Sequence, residues 1–236
     1  MCGVWALFRA APSFIGAAFL LGCVVAAPRH APNPPEGFVA LFNGRDLNGW
    51  RSQLPRPFNR PEARAALTPG ELAEIQADAD ELMREHWRVE DGVLIFDGAN
   101  GINLCTERAY GDFELLVEWR IAPGGDSGIY LRGTPQVQIW DPAQWPEGSG
   151  GLYNRHGSCA PLVCADRPTG EWNTFRISMA GGRVTTHLNG QLVLKNAVLT
   201  NHWSEDDDRP LTASGPIELQ AHHTPLRFRN IYVKEK

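Results

Sequence analysis

The residues of this sequence best suited to chemistry lie at alternate positions of short segments rich in β-forming residues. In 125-GDSGIYLRGTPQVQIWD-141, a strand would place Asp126, Tyr130 and Arg132 on one side. The other side would carry Ser127, Ile129 and Leu131. Successive side chains of a strand point to opposite faces of its sheet. A carboxylate, a phenol and a guanidinium on one face can bind hydroxyl groups and transfer protons.

The second half of this segment and two further segments have the same alternation and would extend this face. The second half of the first segment contributes Gln138 and Trp140, 113-FELLVEWRI-121 contributes Glu118, and 217-IELQAHH-223 contributes two more polar residues. If these strands are neighbours in one sheet, they form a single polar face. The predicted set is Glu118, Asp126, Tyr130, Arg132, Gln138, Trp140, Gln220 and His222.

Carboxylates beside an arginine and a histidine, with Trp and Tyr rings as platforms, suit a polyhydroxylated ligand. Each residue also has an ordinary alternative. Arg132 and Glu118 could form a cross-strand ion pair, His222 could be a structural histidine, and Tyr130 and Trp140 could pack at a rim. The other charged residues of these strands are predicted to be solvated: Glu114, Arg120 and Glu218.

The elements that must position these residues are mostly short strands separated by turns. Asp91-Gly92 and Asn189-Gly190 are strong signals for two-residue hairpins. Many short strands at this spacing predict an all-β sandwich or jelly roll. The predicted strands are 38–42, 87–96, 113–121, 128–132, 136–140, 172–179, 183–195, 217–221 and 226–233.

One segment, 68–86, has helical periodicity instead. Thr68 is a plausible N-cap, Pro69 occupies the first helical position, and Glu71 completes a capping box. We predict an inserted amphipathic helix that packs against the sandwich or covers one rim and supplies no catalytic group. Its apolar face consists of Leu72, Ile75, Ala79, Leu82 and Met83.

The N-terminal segment 1–27 has the features of an export signal, with Arg9 followed by an apolar run too short for a typical membrane span. Two processing routes are open. The sequence 25-VAA-27 resembles a cleavage site, whereas 20-LLGC-23 resembles a lipobox in which Cys23 is lipidated, and the lipobox is favoured. Residues 28–37 would form a Pro-rich tether, and 38–236 the folded domain. We expect an exported protein of the periplasm or cell envelope, with membrane contact only through a lipid anchor.

Composition narrows the class of ligand. The net charge is −5 and there are eight Trp residues. The sequence has no stripe of basic residues, so a nucleic-acid partner is not expected. Aromatic-rich, mildly acidic β domains suit neutral polar ligands such as sugars. Cys159 and Cys164 could form a disulfide in an oxidising compartment, or these two and Cys105 could be buried thiols.

Nearly the whole exported part resembles the bacterial 3-keto-disaccharide hydrolase family, also described as 3-keto-α-glucoside 1,2-lyase and 3-keto-2-hydroxy-glucal hydratase. The resemblance implies a concanavalin-like jelly-roll sandwich. The chain departs from the family pattern at Asp126, at His223 and in the length of its helix. The segments that carry the resemblance are 41-LFNGRDLNGW-50, 87-WRVEDGVL-94, 110-YGDFELLVEWRIAPGGDSGIYLRG-133, 136-QVQIWD-141, 166-DRPTGEWNTFRI-177, 188-LNG-190, 215-GPIELQAHH-223 and 228-FRNI-231.

The resemblance also implies a reaction. A ketone at C3 acidifies the C2 proton, so a base can remove it, the C1 group can leave, and water can add back. Glu118 or His222 would be the base. Arg132, or a divalent cation held by Glu118, Asp126 and His222, would stabilise the enolate.

Among the substrate-binding residues, Gln138, Trp140, Asp141 and Gln220 would orient sugar hydroxyls, with Tyr130 as a platform. A separate 3-dehydrogenase would supply the oxidised carbohydrate. No nucleotide cofactor is expected, because no helix signal with a Lys follows the glycines at 124–128.

Two other classes of function remain open. A conventional glycoside hydrolase of this fold needs two carboxylates flanking the bond, and 136-QVQIWD-141 lacks the Glu-x-Asp-x-x-Glu pattern of laminarinase-like enzymes. A non-catalytic carbohydrate-binding module would keep Tyr130 and Trp140 but needs no base.

Overall fold

Two antiparallel β-sheets pack face to face in the computed structural model, which describes residues 33–153, 159–200 and 210–236. Within these ranges, the larger sheet has eight strands: β1 (Val39–Ala40), β3 (Trp87–Glu90), β4 (Val93–Phe96), β6 (Phe113–Ile121), β10 (Asn173–Ala180), β11 (Arg183–Leu188), β12 (Gln191–Val198) and β14 (Leu226–Glu235). The smaller has six: β2 (Trp50–Ser52), β5 (Leu104–Thr106), β7 (Asp126–Leu131), β8 (Thr134–Trp140), β9 (Leu152–Tyr153) and β13 (Glu218–Leu219). The predicted concanavalin-like jelly-roll sandwich is confirmed.

Strand order brings distant parts of the sequence together. The larger sheet runs β12-β11-β10-β6-β14-β4-β3, with β1 paired to β14, and the smaller runs β2-β5-β13-β7-β8-β9. In the smaller sheet, the short strand β13 lies between β5 and β7, so that residues near 105, 130 and 218 become neighbours. Strand β6 belongs to the other sheet, between β10 and β14.

The core lies between the sheets and follows the alternation in the sequence. Strand β6 buries every second side chain from Phe113 to Ile121, and Ile129, Val137 and Leu219 meet this layer from the smaller sheet. Each such apolar side chain contributes about 1.5–3 kcal/mol when fully buried. The side chains at the intervening positions therefore point to the outside of the sandwich.

The two predicted hairpin turns form as expected. Asp91 and Gly92 both have positive φ and join β3 to β4, and Asn189 and Gly190 do the same between β11 and β12. Positive φ at both central residues defines the tight turn whose twist matches that of the paired strands. These turns are local features, and the sequence signal was sufficient to predict them.

The inserted helix α2 (Pro69–His86) begins at the predicted capping box and follows a short helix α1 (Pro61–Ala65) that the sequence analysis missed. The packing prediction was only partly right. Ala79 and Met83 are buried, but Leu82 is 42% exposed and Leu72 is only partly buried. Part of the apolar stripe, including Ile75 and Leu82, faces a cavity.

We expect Thr68→Ala to lower the free energy of unfolding by about 1 kcal/mol, the usual contribution of an N-cap. The Thr68 hydroxyl accepts a hydrogen bond from the Glu71 amide, and the Glu71 carboxylate accepts one from the Thr68 amide at 2.8 Å. Urea unfolding followed by Trp fluorescence would measure the loss. Thr68→Ser keeps the hydroxyl and should stay near wild type; equal losses in both variants would contradict a capping role.

The predictions for the N-terminal segment 1–27, Cys23 and most of the tether 28–37 lie outside the described residues. No described helix is long and apolar enough to span a membrane. Cys105, Cys159 and Cys164 are all thiols, so the Cys159–Cys164 disulfide, one of the two alternatives, is not formed in the described structure. Cys105 is buried, whereas Cys164 is exposed, so the alternative of three buried thiols is also wrong.

Candidate active site

The outer face of the smaller sheet carries three rows of side chains that run across the strands. The first row is Glu218, Tyr130 and Gln136, the second is Gln220, Gly128 and Gln138, and the third is His222, Asp126 and Trp140. We call the side chains of these rows the polar face. Six of the residues predicted to share a face therefore do so: Asp126, Tyr130, Gln138, Trp140, Gln220 and His222.

The third row contains a histidine–carboxylate pair. Nδ1 of His222 lies 3.3 Å from Oδ2 of Asp126, and the Trp140 indole N–H donates to Oδ1 of Asp126 at 3.0 Å. Burial raises the pKa of Asp126 above its usual value, although the His222 charge and the Trp140 hydrogen bond lower it. With Nδ1 beside the carboxylate, Nε2 of His222 is left to interact with a ligand.

An aromatic platform adjoins this pair. The rings of Trp140 and Trp145 stack with centroids 5.5 Å apart and planes inclined by 18°. Trp145 lies in the loop after β8 and was missed in the sequence analysis. Flat, partly exposed indoles provide apolar area against which a sugar ring can pack.

The first two rows contain carboxamides whose side-chain oxygens lack partners, with Gln136 in the first row and Gln138 and Gln220 in the second. Gln136 and Gln138 are each only 5% exposed, and the side-chain oxygens of Gln136, Gln138 and Gln220 have no hydrogen-bond partner among the described residues. Buried polar atoms are normally hydrogen-bonded. These unpaired oxygens are themselves buried, so they mark carboxamides that would turn outward to accept from hydroxyl groups of a ligand.

Gly128 makes this arrangement possible. A Cβ atom at that position would lie 2.5 Å from Oε1 of Gln136. The absence of a side chain on β7 lets the Gln136 carboxamide lie across the strand toward the second row. Any larger residue would displace Gln136 from the polar face.

The first row contains a buried carboxyl group that the sequence analysis assigned to solvent. Glu218 is 4% exposed and accepts a hydrogen bond from the Gln53 carboxamide at 2.7 Å. Burial raises its pKa to about 7, against the effect of hydrogen bonds from Cys105, Asn103 and Gln53. Burial also raises the pKa of Tyr130, so its phenol stays protonated near neutral pH.

A cavity of about 770 Å³ adjoins the second and third rows. Its polar lining includes Gln53, Arg56, Asn103, Gln220 and His222, and its apolar lining includes Leu54, Ile75, Ala79, Leu82 and Ile102. Helix α2 forms the wall opposite the sheet. It is held to the end of β2 because the Asp80 carboxylate accepts from the Ser52 amide and Gln76 donates to the Ser52 carbonyl.

Glu118 is not part of this site. It lies on the outward face of β6 in the larger sheet, where it accepts hydrogen bonds from Arg229 at 2.7 Å and Asn230 at 2.9 Å. The predicted metal site of Glu118, Asp126 and His222 is therefore divided between the two sheets. Among the described residues, no three His, Cys, Asp or Glu side chains come close enough to hold a metal ion.

Arg132 is also turned away from the polar face. Strand β7 ends at Leu131, and Arg132 and Gly133 form the hairpin turn to β8, both with positive φ. Because Arg132 lies in the turn, its side chain no longer follows the strand alternation that predicted its place on the polar face. The Arg132 guanidinium pairs with Asp112 and donates to the carbonyl oxygens of Gly111 and Thr212.

Asp141 orders a loop. Its carboxylate accepts from the amides of Gly124 and Ala143 and from the Thr169 hydroxyl, and the two backbone hydrogen bonds are the main reason that its pKa is lowered. A carboxylate with these bonds has little capacity left for a sugar hydroxyl. The hydrogen bonds of Asp141 therefore indicate a structural role in place of the predicted role in orienting sugar hydroxyls.

Glu218, Gln136, Gln53 and Arg56 belong to the site but were not predicted. For Glu218 a signal existed, because it alternates with Gln220 and His222 in 217-IELQAHH-223. Gln136 likewise alternates with Gln138. The sequence contained no such signal for Gln53 and Arg56, since they lie in a segment with no clear periodicity.

A sandwich with aromatic and carboxamide groups on one sheet face, a histidine–carboxylate pair and an adjoining cavity is the architecture of carbohydrate-active concanavalin-like proteins. Residues 37–234 match the 3-keto-alpha-glucoside-1,2-lyase-like domain, and the chain belongs to this family.

Individual relatives agree with the family assignment. A 3-keto-disaccharide hydrolase of Bacteroides thetaiotaomicron is 24% identical over 256 aligned positions, which cover 86% of this chain and 80% of the relative. A provisionally assigned glycosyl hydrolase from Parabacteroides distasonis superposes with a TM-score of 0.60 at 25% identity, covering 86% of this chain and 85% of that one. A non-specific endo-β-1,3(4)-glucanase shares only the fold, with a TM-score of 0.50 at 14% identity over 89% of this chain and 96% of its own.

Proposed function

We propose that the protein cleaves glycosides whose sugar carries a ketone at C3, through proton abstraction at C2 and elimination of the C1 group. The observation that carries the proposal is the Asp126–His222 pair, which lies at the edge of the cavity beside the Trp140 platform. Family membership and the name of the Bacteroides relative support the same chemistry.

In the first step, Nε2 of His222 takes the C2 proton, and the electrons of the C2–H bond form an enolate with the C3 carbonyl. Asp126 orients the ring through Nδ1 and stabilises the imidazolium that results. Arg56 lines the same cavity, and we assign to it the stabilisation of the enolate oxygen that the sequence predicted for Arg132.

In the second step, the enolate re-forms the ketone as the C1–O bond breaks, and the departing oxygen takes the proton from His222. A double bond between C1 and C2 remains, conjugated with the ketone. Water then adds its hydroxyl to C1 and a proton to C2. The net result is hydrolysis, in agreement with the name of the Bacteroides relative.

Two-carboxylate hydrolysis is less well supported. Glu218 lies opposite Tyr130, four residues along β7 from Asp126, which is about 13 Å at about 3.3 Å per residue. Conventional glycosidases place their carboxyl groups about 5–5.5 Å or about 6.5–9.5 Å apart. Glu218 is also buried and bound to Gln53.

The test is to incubate the purified protein with a 3-keto glucoside and with its unoxidised parent. We expect release of the C1 group from the 3-keto sugar only, because the ketone is what makes the C2 proton removable. Deuterium at C2 should slow the release or exchange with solvent. Equal cleavage of both sugars would support direct displacement at C1, and tight binding without turnover would support a carbohydrate-binding module.

Two further proposals concern the setting of this reaction. The substrate requires prior oxidation at C3, so we propose that a separate 3-dehydrogenase acts upstream. From the leader-like sequence of 1–27 and the lipobox at Cys23, we also propose that the protein acts in the periplasm or cell envelope.

A further inference from the structure

The cavity beside the polar face has two chemically different walls. On the sheet side, Gln53, Asn103, Gln220 and His222 present polar groups. On the helix side, α2 presents Ile75, Asp78, Ala79 and Leu82, which follow the spacing of one helical face. Leu54, Pro55 and Ile102 extend the apolar wall beyond the helix.

The exposure of Leu82 distinguishes this wall from ordinary core packing. At 42% exposed, it is among the large hydrophobic side chains that the described structure leaves in contact with solvent. Its neighbour on the helix, Met83, is completely buried. The fold therefore has a well-packed face of α2 next to an apolar face that is left open toward the candidate site.

An apolar wall discriminates between leaving groups. A second sugar unit would bring hydroxyl groups against the aliphatic side chains of Ile75, Ala79 and Leu82, which cannot hydrogen-bond them, and Asp78 is the one acceptor among the α2 side chains that line the cavity. Burial of unpaired hydroxyls is unfavourable. An alkyl or aryl group gains from the same contact, because apolar surface is removed from water.

His222 connects the wall to the chemistry. It lines this cavity and also contacts Asp126 on the polar face, so a sugar held on the polar face would have its C1 substituent near the cavity entrance. We propose that the cavity between α2 and the polar face is the leaving-group subsite and that it selects glycosides with an apolar aglycone, with Ile75 and Leu82 as specificity-determining residues. This inference rests on the proposed function.

The test uses 3-keto glucosides that differ only in the length of an alkyl aglycone, such as methyl, butyl and hexyl, together with a 3-keto disaccharide. The alkyl leaving groups have similar basicity, so their rates differ mainly through binding. We expect kcat/KM to rise on the order of tenfold from methyl to hexyl, mainly through KM, and the disaccharide to be poorer than hexyl.

Leu82→Ser should remove most of this dependence of kcat/KM on chain length. The matched control is Leu162→Ser, because Leu162 is 67% exposed and lies outside the cavity lining. The inference would be overturned if kcat/KM did not depend on alkyl chain length, or if Leu82→Ser kept the wild-type dependence. A higher kcat/KM for the disaccharide than for the hexyl glucoside would also overturn it.

A binding measurement separates this inference from the proposed reaction. Calorimetry with unoxidised methyl and hexyl glucosides should give a dissociation constant on the order of tenfold lower for hexyl, and Leu82→Ser should abolish the difference. If no 3-keto glucoside is cleaved but this difference is present, the reaction is wrong and the apolar subsite stands. If cleavage occurs but neither rates nor binding depend on chain length, the reaction stands and the subsite is wrong.

Discussion

His222→Ala should lower kcat for 3-keto glycoside cleavage by about 10²–10⁴-fold, the usual contribution of a general acid–base group. The substitution removes the imidazole whose Nδ1 lies 3.3 Å from the Asp126 carboxylate and leaves the Trp140 hydrogen bond to that carboxylate in place. The loss should be in kcat more than in KM, because His222 acts on the transferred proton. Initial rates with a 3-keto glucoside, measured on folded protein, would test this.

Asp126→Asn gives a second arm of the same test. The amide oxygen can still accept from the Trp140 indole, but the negative charge that stabilises the imidazolium is lost. We expect a smaller loss of kcat than for His222→Ala, and little further loss when the two are combined, because the residues act as a unit. If the loss of kcat in the double variant equalled the product of the two single losses, His222 and Asp126 would not act as a unit.

The neighbouring His223 is a matched control. Its ring lies 5.4 Å from that of His222, and its backbone has a positive φ that asparagine tolerates, so His223→Asn is the suitable substitution. Activity should remain near wild type. An equal loss in His223→Asn, or retention of activity in His222→Ala, would remove His222 from the role of base.

Glu218→Gln should make the protein more stable than wild type above neutral pH, by on the order of 3 kcal/mol. The pKa of Glu218 is about 7 in the folded protein against an ordinary value of 4.5. Between these two values the folded state binds more protons than the unfolded state. The free energy of unfolding of wild type therefore falls as pH rises through this range and levels off above it.

Glutamine is neutral and of similar shape, so the variant should not lose stability through the titration of this side chain as pH rises. Urea unfolding of both proteins at several pH values from 4.5 to 8 would give the difference directly. The exposed Glu90 provides a control, since Glu90→Gln removes a carboxylate that lies in a surface ion pair with Arg88. If the free energies of unfolding of Glu218→Gln and wild type change in parallel with pH across this range, Glu218 does not titrate as its burial indicates.

The sequence by itself determined the features that depend on neighbouring residues along the chain. Alternation in 113–121 and 136–140 predicted strands, Asp91-Gly92 and Asn189-Gly190 predicted turns, and Thr68 with Glu71 predicted the start of α2. These signals are local, because side-chain alternation, turn conformation and helix capping act over a few residues. The family resemblance added the fold and a class of reaction.

The tertiary structure decided which local faces meet. A sandwich has two outward faces, and alternation cannot tell them apart; Glu118 therefore lies on the larger sheet because β6 pairs with β10 and β14. Glu218 is buried because β13 lies between β5 and β7. Leu82 lines a cavity because hydrogen bonds of Asp80 and Gln76 to Ser52 hold α2 at the end of β2. Each outcome depends on pairings between residues far apart in sequence, for which one chain's periodicity carries no signal.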